Sequence, residues 1–380
     1  MSIDMFRVHF PRTIDAPLLE TLHSGQIGQG KKVDEFEVAL GARLGMDVVT
    51  VNSGTAALEL ALRLLDLKPG DEVITTAMSC SATALAIMHA GGTIVWADIN
   101  PYTGLIDPID VGRKVSDRTR AVVPVEWGGT PCDYPAITAA IPPGTSIIVD
   151  AAHAFGRDMS SQADTLVDAF CFSFQAIKHI TTVDGGAIAF PFPPDGLIDR
   201  AKRLRWFGID RTEKRSDVRI ETDILEAGFK WHMNDVAATI GIEQLKYIDE
   251  IIEHHRENAR YFATKLHSYF GQAIAYPDQS ACWLYTITLD DADTRNRFAA
   301  HMAEREIAVS RVHGRLDKHT CFAGAKGGDY LPGTDDFGDA AICIPVHWAL
   351  KAIELSQIVQ ACDEFATIEM SHLAQAASRC

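Results

Sequence analysis

From residue 47 onward, short apolar runs alternate with stretches in which apolar positions recur every three or four residues. The first run, DVVTV at 47–51, leads into a helix beginning near Thr55 whose Leu58, Ala61, Leu62 and Leu65 fall on one face. A Pro-Gly-Asp turn at 69–71 ends it. EVITTA, a helix over 82–90, TIVWADI at 93–99, a short helix near 108–115, RAVVPVEW at 120–127 and SIIVDAA at 146–152 continue the rhythm. DAFCFSF at 168–174 and GAIAF at 186–190 add two strands, and a helix runs through Lys202. Strands that are apolar almost throughout are buried on both faces, which predicts an α/β fold with a mainly parallel sheet between helices.

Past that helix the pattern changes. The polar stretch DRTEKRSDVRIETD at 210–223 predicts an exposed loop, followed by helices at about 233–247 and 250–268. WLYTITL, a helix, IAVSRV, ICIPV and a final helix from about 353 then predict a smaller α+β domain. Residues 1–249 are expected to form an N-terminal arm with a large domain, and residues 250–380 the small one. At 380 residues and 47% hydrophobic, the chain can bury cores for both.

A formal net charge of -16 and a pI near 5.3 argue against a nucleic-acid partner drawn by general electrostatics. The start, MSIDMFRVHFPRT, lacks a secretory pattern, and no run of about 18 apolar residues suits a membrane span, so a cytoplasmic protein is expected. Cysteines at 80, 132, 171, 282, 321, 343, 362 and 380 form no C-x-x-C pair; they predict small buried hydrophobes rather than a metal site.

Open α/β sheets bind ligands beyond the carboxyl ends of their strands, and three segments there carry candidate chemistry. In VNSGTAAL at 51–58, Ser53, Gly54 and Thr55 join a strand to a helix start, where free amides and the helix dipole attract phosphate; an ordinary helix cap would use the same residues. In VDAAHAFG at 149–156, Asp150 ends an apolar strand and His153 follows. A carboxylate in so dry a place calls for a cationic or donor partner, such as a protonated pyridine nitrogen, unless it only caps a loop. In FSFQAIKHITTVDGG at 172–186, Lys178 lies in apolar surroundings that would lower its pKa and make the amine nucleophilic. A phosphate cradle, a pyridinium partner and an amine are the three contacts that pyridoxal phosphate requires.

The ordered series SGQIGQGKKVDEFE, VNSGTAALELAL, GDEVIT, DAAHAFG, FSFQAIKHITTVDGG and GFKWHMNDVAATIGIEQL resembles the DegT/DnrJ/EryC1/StrS family of sugar aminotransferases over nearly the whole chain. The resemblance implies the fold of type I pyridoxal-phosphate enzymes, with a mainly parallel seven-stranded sheet, and a homodimer with shared active sites. It implies amination of a keto sugar, commonly nucleotide-linked, with glutamate as amino donor, to make an amino sugar for a surface polysaccharide such as lipopolysaccharide or for a secondary metabolite. Lys178 matches the lysine that holds the cofactor as a Schiff base and shuttles protons, and Asp150 the partner of the ring nitrogen. Gly54, Thr55 and Ser173 match phosphate contacts, His153 a contact to the phenolic oxygen, and Lys230 a residue sent to the other subunit's phosphate.

Cys80 stands where the family commonly stacks an aromatic ring on the cofactor. Either another residue, Trp127 among them, covers that face, or the smaller side chain leaves room for an unusual substrate. RVHGRLDKHTCF at 311–322 offers His313, Arg315, Lys318 and His319 to a substrate phosphate or carboxylate, or else is a solvated loop. Alternatives are a keto sugar free of nucleotide (a sugar acid or cyclitol), a sugar dehydratase, another type I reaction, or an inactive homologue; Lys178 counts against the dehydratase branch, which carries histidine there.

Overall fold

A computed structural model describes residues 2–211, 223–266, 268–272 and 278–377. The seven apolar runs form strands β1 (Asp47–Val51), β2 (Glu72–Thr76), β3 (Thr93–Ala97), β4 (Thr119–Val123), β5 (Ser146–Asp150), β6 (Ala169–Ser173) and β7 (Gly186–Phe190). They lie side by side in the order β1-β7-β6-β5-β4-β2-β3. β7 runs antiparallel to both neighbours, while the remaining pairs are parallel. β1, β5 and β6 therefore end on the same edge of the sheet, where β7 begins.

Successive strand side chains point to opposite faces, and both faces are covered. Val122, Ile147, Val149, Phe170 and Phe172 meet helix α2 (Lys31–Leu44) through Val33, Phe36 and Leu40, together with α6 (Tyr134–Ala140). Their alternates Val49, Val73, Val123, Ile148 and Cys171 meet α3 (Gly54–Arg63), α4 (Ser81–His89) and α7 (Leu197–Leu204). The remaining helices up to this point are α1 (Asp15–His23) and α5 (Pro108–Lys114).

After α8 (Asp235–Leu245), helix α9 (Ile248–Lys265) links two cores: Ile248 and Ile252 pack under the large sheet, whereas Ala259 and Phe262 pack with Tyr285, Phe298 and Ile342. The second core covers a three-stranded sheet, β8 (Gly271–Gln272), β9 (Tyr285–Thr288) and β10 (Ala341–Ile344), flanked by α10 (Ala292–Ala303), α11 (Pro332–Ala340) and α12 (Ala352–Ala377). Among the described residues no helix is long and apolar enough to cross a membrane.

Two expectations are corrected. RAVVPVEW stops as a strand at Val123, because Pro124 lacks the N–H a ladder needs, and Trp127–Gly129 forms a 3-10 turn. IAVSRV makes only isolated bridges, Ile3 to Ile307 and Ser310 to Cys343, before Val312, at φ +63°, turns the chain away. Most of the loop expected at 210–223 lies outside the described residues.

Candidate active site

The carboxyl edge of the sheet opens into a cavity of about 350 Å³ whose wall includes Ser53, Gly54, Thr55, Cys80, Asp150, His153, Ser173, Lys178 and His313. The strand order explains why segments far apart in sequence meet here. Gly186 opens β7 between Val51 of β1 and Ser173 of β6. A Cβ on Gly186 would lie 2.4 Å from the Ser53 carbonyl oxygen, and one on Gly54 would lie 2.7 Å from Ser173 Cβ. Only glycines allow the start of α3 to settle this closely over the strand ends. Ser53 caps α3 by accepting from the Ala56 amide at 3.0 Å. The amides of Gly54 and Thr55 have no partner within the helix and stand at its positive end.

Asp150 closes β5 in a buried position. It accepts from Thr83 Oγ1 at 2.6 Å and from the Ala152 amide at 3.1 Å. Burial raises its pKa despite both donors and Lys178. Among the described residues no ion pair offsets the charge, so the ionised carboxylate is complementary to a cationic N–H brought by a ligand.

Lys178 hangs from the turn after β6. Burial lowers its pKa to about 8, against smaller opposing effects of Asp150 and Cys80. Its Nζ rests 3.6 Å from the ring centroid of Trp283, a residue that sequence reasoning did not single out. The Trp283 indole N–H donates to the Ile177 carbonyl at 3.0 Å, and the ring stacks on His153 at 4.0 Å and on Phe6 at 5.0 Å. Burial holds His153 well below the ordinary histidine pKa, helped by Lys178 and His313, so it is neutral. Its Nδ1 is buried with no hydrogen-bond partner.

Trp127 does not line the cavity; it meets His153 edge-on from behind at 6.4 Å, its indole N–H held by Thr286 at 3.0 Å, so it covers no face there. Cys80 is exposed at the opening. Of the cations at 311–322, His313 alone reaches the wall. Arg315 turns its guanidinium to Asp317, at 3.0 and 2.7 Å, and to Asp335, while Lys318 pairs with Asp317 at 3.3 Å and His319 is exposed outside the cavity. Burial and Lys178 hold His313 at a pKa of about 4, so it too is neutral, and its Nε2 has no partner. Lys230 is exposed and away from the cavity of its own chain, its carbonyl accepting from Asn52 Nδ2 at 3.2 Å.

Behind the wall, Arg157 is buried between Glu126 and Asp164, both within 2.8 Å, and Tyr134 donates to Glu126. The Glu126 amide in turn donates to the Asp150 carbonyl at 3.1 Å, tying this ion cluster to the strand end.

An unoffset buried carboxylate, an amine of lowered pKa, an orphaned imidazole nitrogen and a glycine-lined helix start fit the ring nitrogen, aldehyde, phenolic oxygen and phosphate of one cofactor. Fold and site together define a pyridoxal-phosphate enzyme. The chain belongs to the DegT/DnrJ/EryC1/StrS aminotransferase family, whose model matches residues 11–363. It is 31% identical to dTDP-4-dehydro-2,3,6-trideoxy-D-glucose 4-aminotransferase of Saccharopolyspora spinosa, with 98% of each chain covered. It is 36% identical to the spore coat polysaccharide biosynthesis protein SpsC of Bacillus subtilis, over 77% of this chain and 78% of that one. The crystal structure of sugar aminotransferase CalS13 from Micromonospora echinospora matches with a TM-score of 0.87 at 33% identity, covering 94% of this chain and 98% of that one. This protein is accordingly a pyridoxal-phosphate-dependent aminotransferase.

Proposed function

We propose that this aminotransferase moves an amino group from glutamate to a nucleotide-linked keto sugar, making an amino sugar for a surface polysaccharide or a secondary metabolite. The observation that carries the reading is the meeting of Lys178, with its lowered pKa, and buried Asp150 in one cavity. The name of the Saccharopolyspora relative supports a nucleotide-linked substrate, and that of the Bacillus relative a polysaccharide product.

Asp150 would hold the protonated ring nitrogen, Thr83 fixing the carboxylate's orientation. The amides of Gly54 and Thr55 with Ser173 would hold the phosphate, and His153 the phenolic oxygen. Bound pyridoxal phosphate supplies the electron sink for breaking the C–H bond of the amino donor. Lys178 would hold the cofactor through its amine and, once the donor amine has taken its place, would accept the proton from the donor's α-carbon as general base and later return it as acid. The same amine would move the proton in the opposite direction when the keto sugar is the acceptor. His313, neutral and with an open Nε2, suits a hydroxyl or carbonyl of the sugar better than an anion. Lys230 would serve the partner subunit's phosphate in a homodimer. The core around Phe262, Tyr285, Phe298 and Ile342 supports a small unit drawn from within 250–380, while Ile252, Ala281, Leu316, Phe322 and Leu331 pack with the large sheet, so the large unit takes in chain beyond residue 249.

Adding glutamate to the loaded protein should bleach its visible absorption as cofactor is converted to the amine form, and a nucleotide-linked keto sugar should restore it. A protein with no visible band would refute cofactor binding through Lys178. A band that glutamate leaves unchanged would refute the donor.

A further inference from the structure

The contact between Lys178 and Trp283 has no part in the cofactor chemistry described so far, and the surrounding structure is organised around it. Cys282 lies in the left-handed region at φ +52°, and the carbonyls before Trp283 are each taken by a side chain: Ser280 by Arg256 at 2.9 Å, Ala281 by His179 at 3.0 Å and Cys282 by His255 at 2.9 Å. The Trp283 amide donates to the Gly128 carbonyl at 2.9 Å, and its indole N–H reaches back to Ile177, the residue before Lys178. A non-glycine residue in that conformation is strained, and its surroundings must hold it in place. The ring so fixed lies 3.6 Å from Lys178 Nζ.

We propose that Trp283 is a positioning residue that receives the Lys178 amine whenever that amine is not bonded to cofactor, its indole face steadying the ammonium that the amine becomes once it has accepted the donor's proton. The inference rests on Lys178 being the cofactor lysine. An aromatic face attracts the charged amine and not the neutral one, so it opposes the burial that would otherwise strip the proton. The amine thus keeps a proton ready for transfer and a fixed place from which to return. Asp150 and Trp283 then act at two separate points, the first on the ring nitrogen and the second on the freed lysine.

The test titrates Lys178 in the cofactor-free full chain by competitive acetylation of its lysines across pH, read by mass spectrometry. Protein grown with mono-, di- and trifluorotryptophan keeps the indole's shape while weakening the negative potential of its face. With each fluorine the midpoint for Lys178 should fall, by about half a pH unit or more across the series. In Trp283→Phe protein, fluorinating the other tryptophans should leave the midpoint unmoved. A wild-type midpoint indifferent to fluorination, or an equal shift in the Trp283→Phe background, overturns the proposal. Borohydride reduction of the loaded protein separates this failure from failure of the underlying reading: an adduct on Lys178 keeps Lys178 as the cofactor lysine, and an adduct elsewhere removes both.

Discussion

Asp150 illustrates how much rests on single atoms. An amide at this position cannot stabilise a positive ring nitrogen, so Asp150→Asn should retain cofactor weakly while losing several orders of magnitude in turnover. Retention of more than about a tenth of the rate, equivalent to about 1.4 kcal/mol in the barrier, would exclude the pairing. For Lys178, a pKa near 8 makes the reactive neutral amine a minority below that pH and the majority above it. Cofactor capture by the stripped protein should therefore accelerate about tenfold per unit up to pH 7 and level off above pH 9, as followed by the rise of the visible band. A rate flat from pH 6 to 9 would contradict a lysine titrating in this range. At Cys80 the cavity wall lacks a ring, and Cys80→Phe should tighten cofactor binding several-fold, in line with about 0.5–1.5 kcal/mol for an aromatic pair. A fluorescence titration giving an unchanged dissociation constant would mean that the cofactor does not lie against this position.

At the scale of elements, the phosphate cradle depends on how α3, β6 and the start of β7 approach one another. Gly186→Ala would drive a methyl group into backbone, so it should lower both stability and cofactor retention, whereas nearby surface changes should not. The ion cluster behind the wall has a separate signature. Arg157→Ala leaves Glu126 and Asp164 buried without their cation, and should cost about 3–5 kcal/mol in denaturant unfolding. A loss below about 1 kcal/mol would show that water replaces the guanidinium. The strands were legible in the sequence because a doubly buried strand is apolar at most positions, and the charged and polar residues at their ends stood out against that background. Helices α6 and α11 were not, since each is short, begins at or next to a proline and carries too few turns to establish a period. Nor were the roles of Thr83, Phe6 and Trp283 foreseen: each meets the cavity through contacts 67 to more than 200 residues distant in sequence, and no local pattern encodes such proximity. The IAVSRV segment failed in the opposite sense, because its alternating side chains suit a strand but only two isolated bridges form beside it.

For the whole molecule, the exposed position of Lys230 bears on assembly. If Lys230 serves the neighbouring cofactor, Lys178→Ala and Lys230→Ala subunits mixed in equal amounts should regain up to about a quarter of wild-type activity. Half of the dimers are then mixed and each holds one intact site. The experiment requires that Lys230→Ala alone be impaired; no recovery after confirmed subunit exchange would rule out sharing through Lys230, and a monomer at working concentration would exclude the shared site altogether.

The N-terminal arm carries a consequence for how the chain is made. Ile3 exchanges backbone hydrogen bonds with Glu306 and Ala308 at 2.8 and 2.9 Å, Trp348 donates to the Arg7 carbonyl at 2.8 Å, and Phe6 lies on Trp283. Residues 3–7 thus leave the ribosome well before the partners at 283–348 that they bind. During translation the arm meets none of these partners until Trp283 has emerged and meets the full set only with Trp348, and closing so long a loop comes late in folding. The cavity is consequently finished from the amino end only after these distant partners have emerged. Ribosome-bound chains halted at residue 300 should leave residues 2–8 open to protease, whereas chains halted beyond 380 by a linker that clears the exit tunnel should protect them.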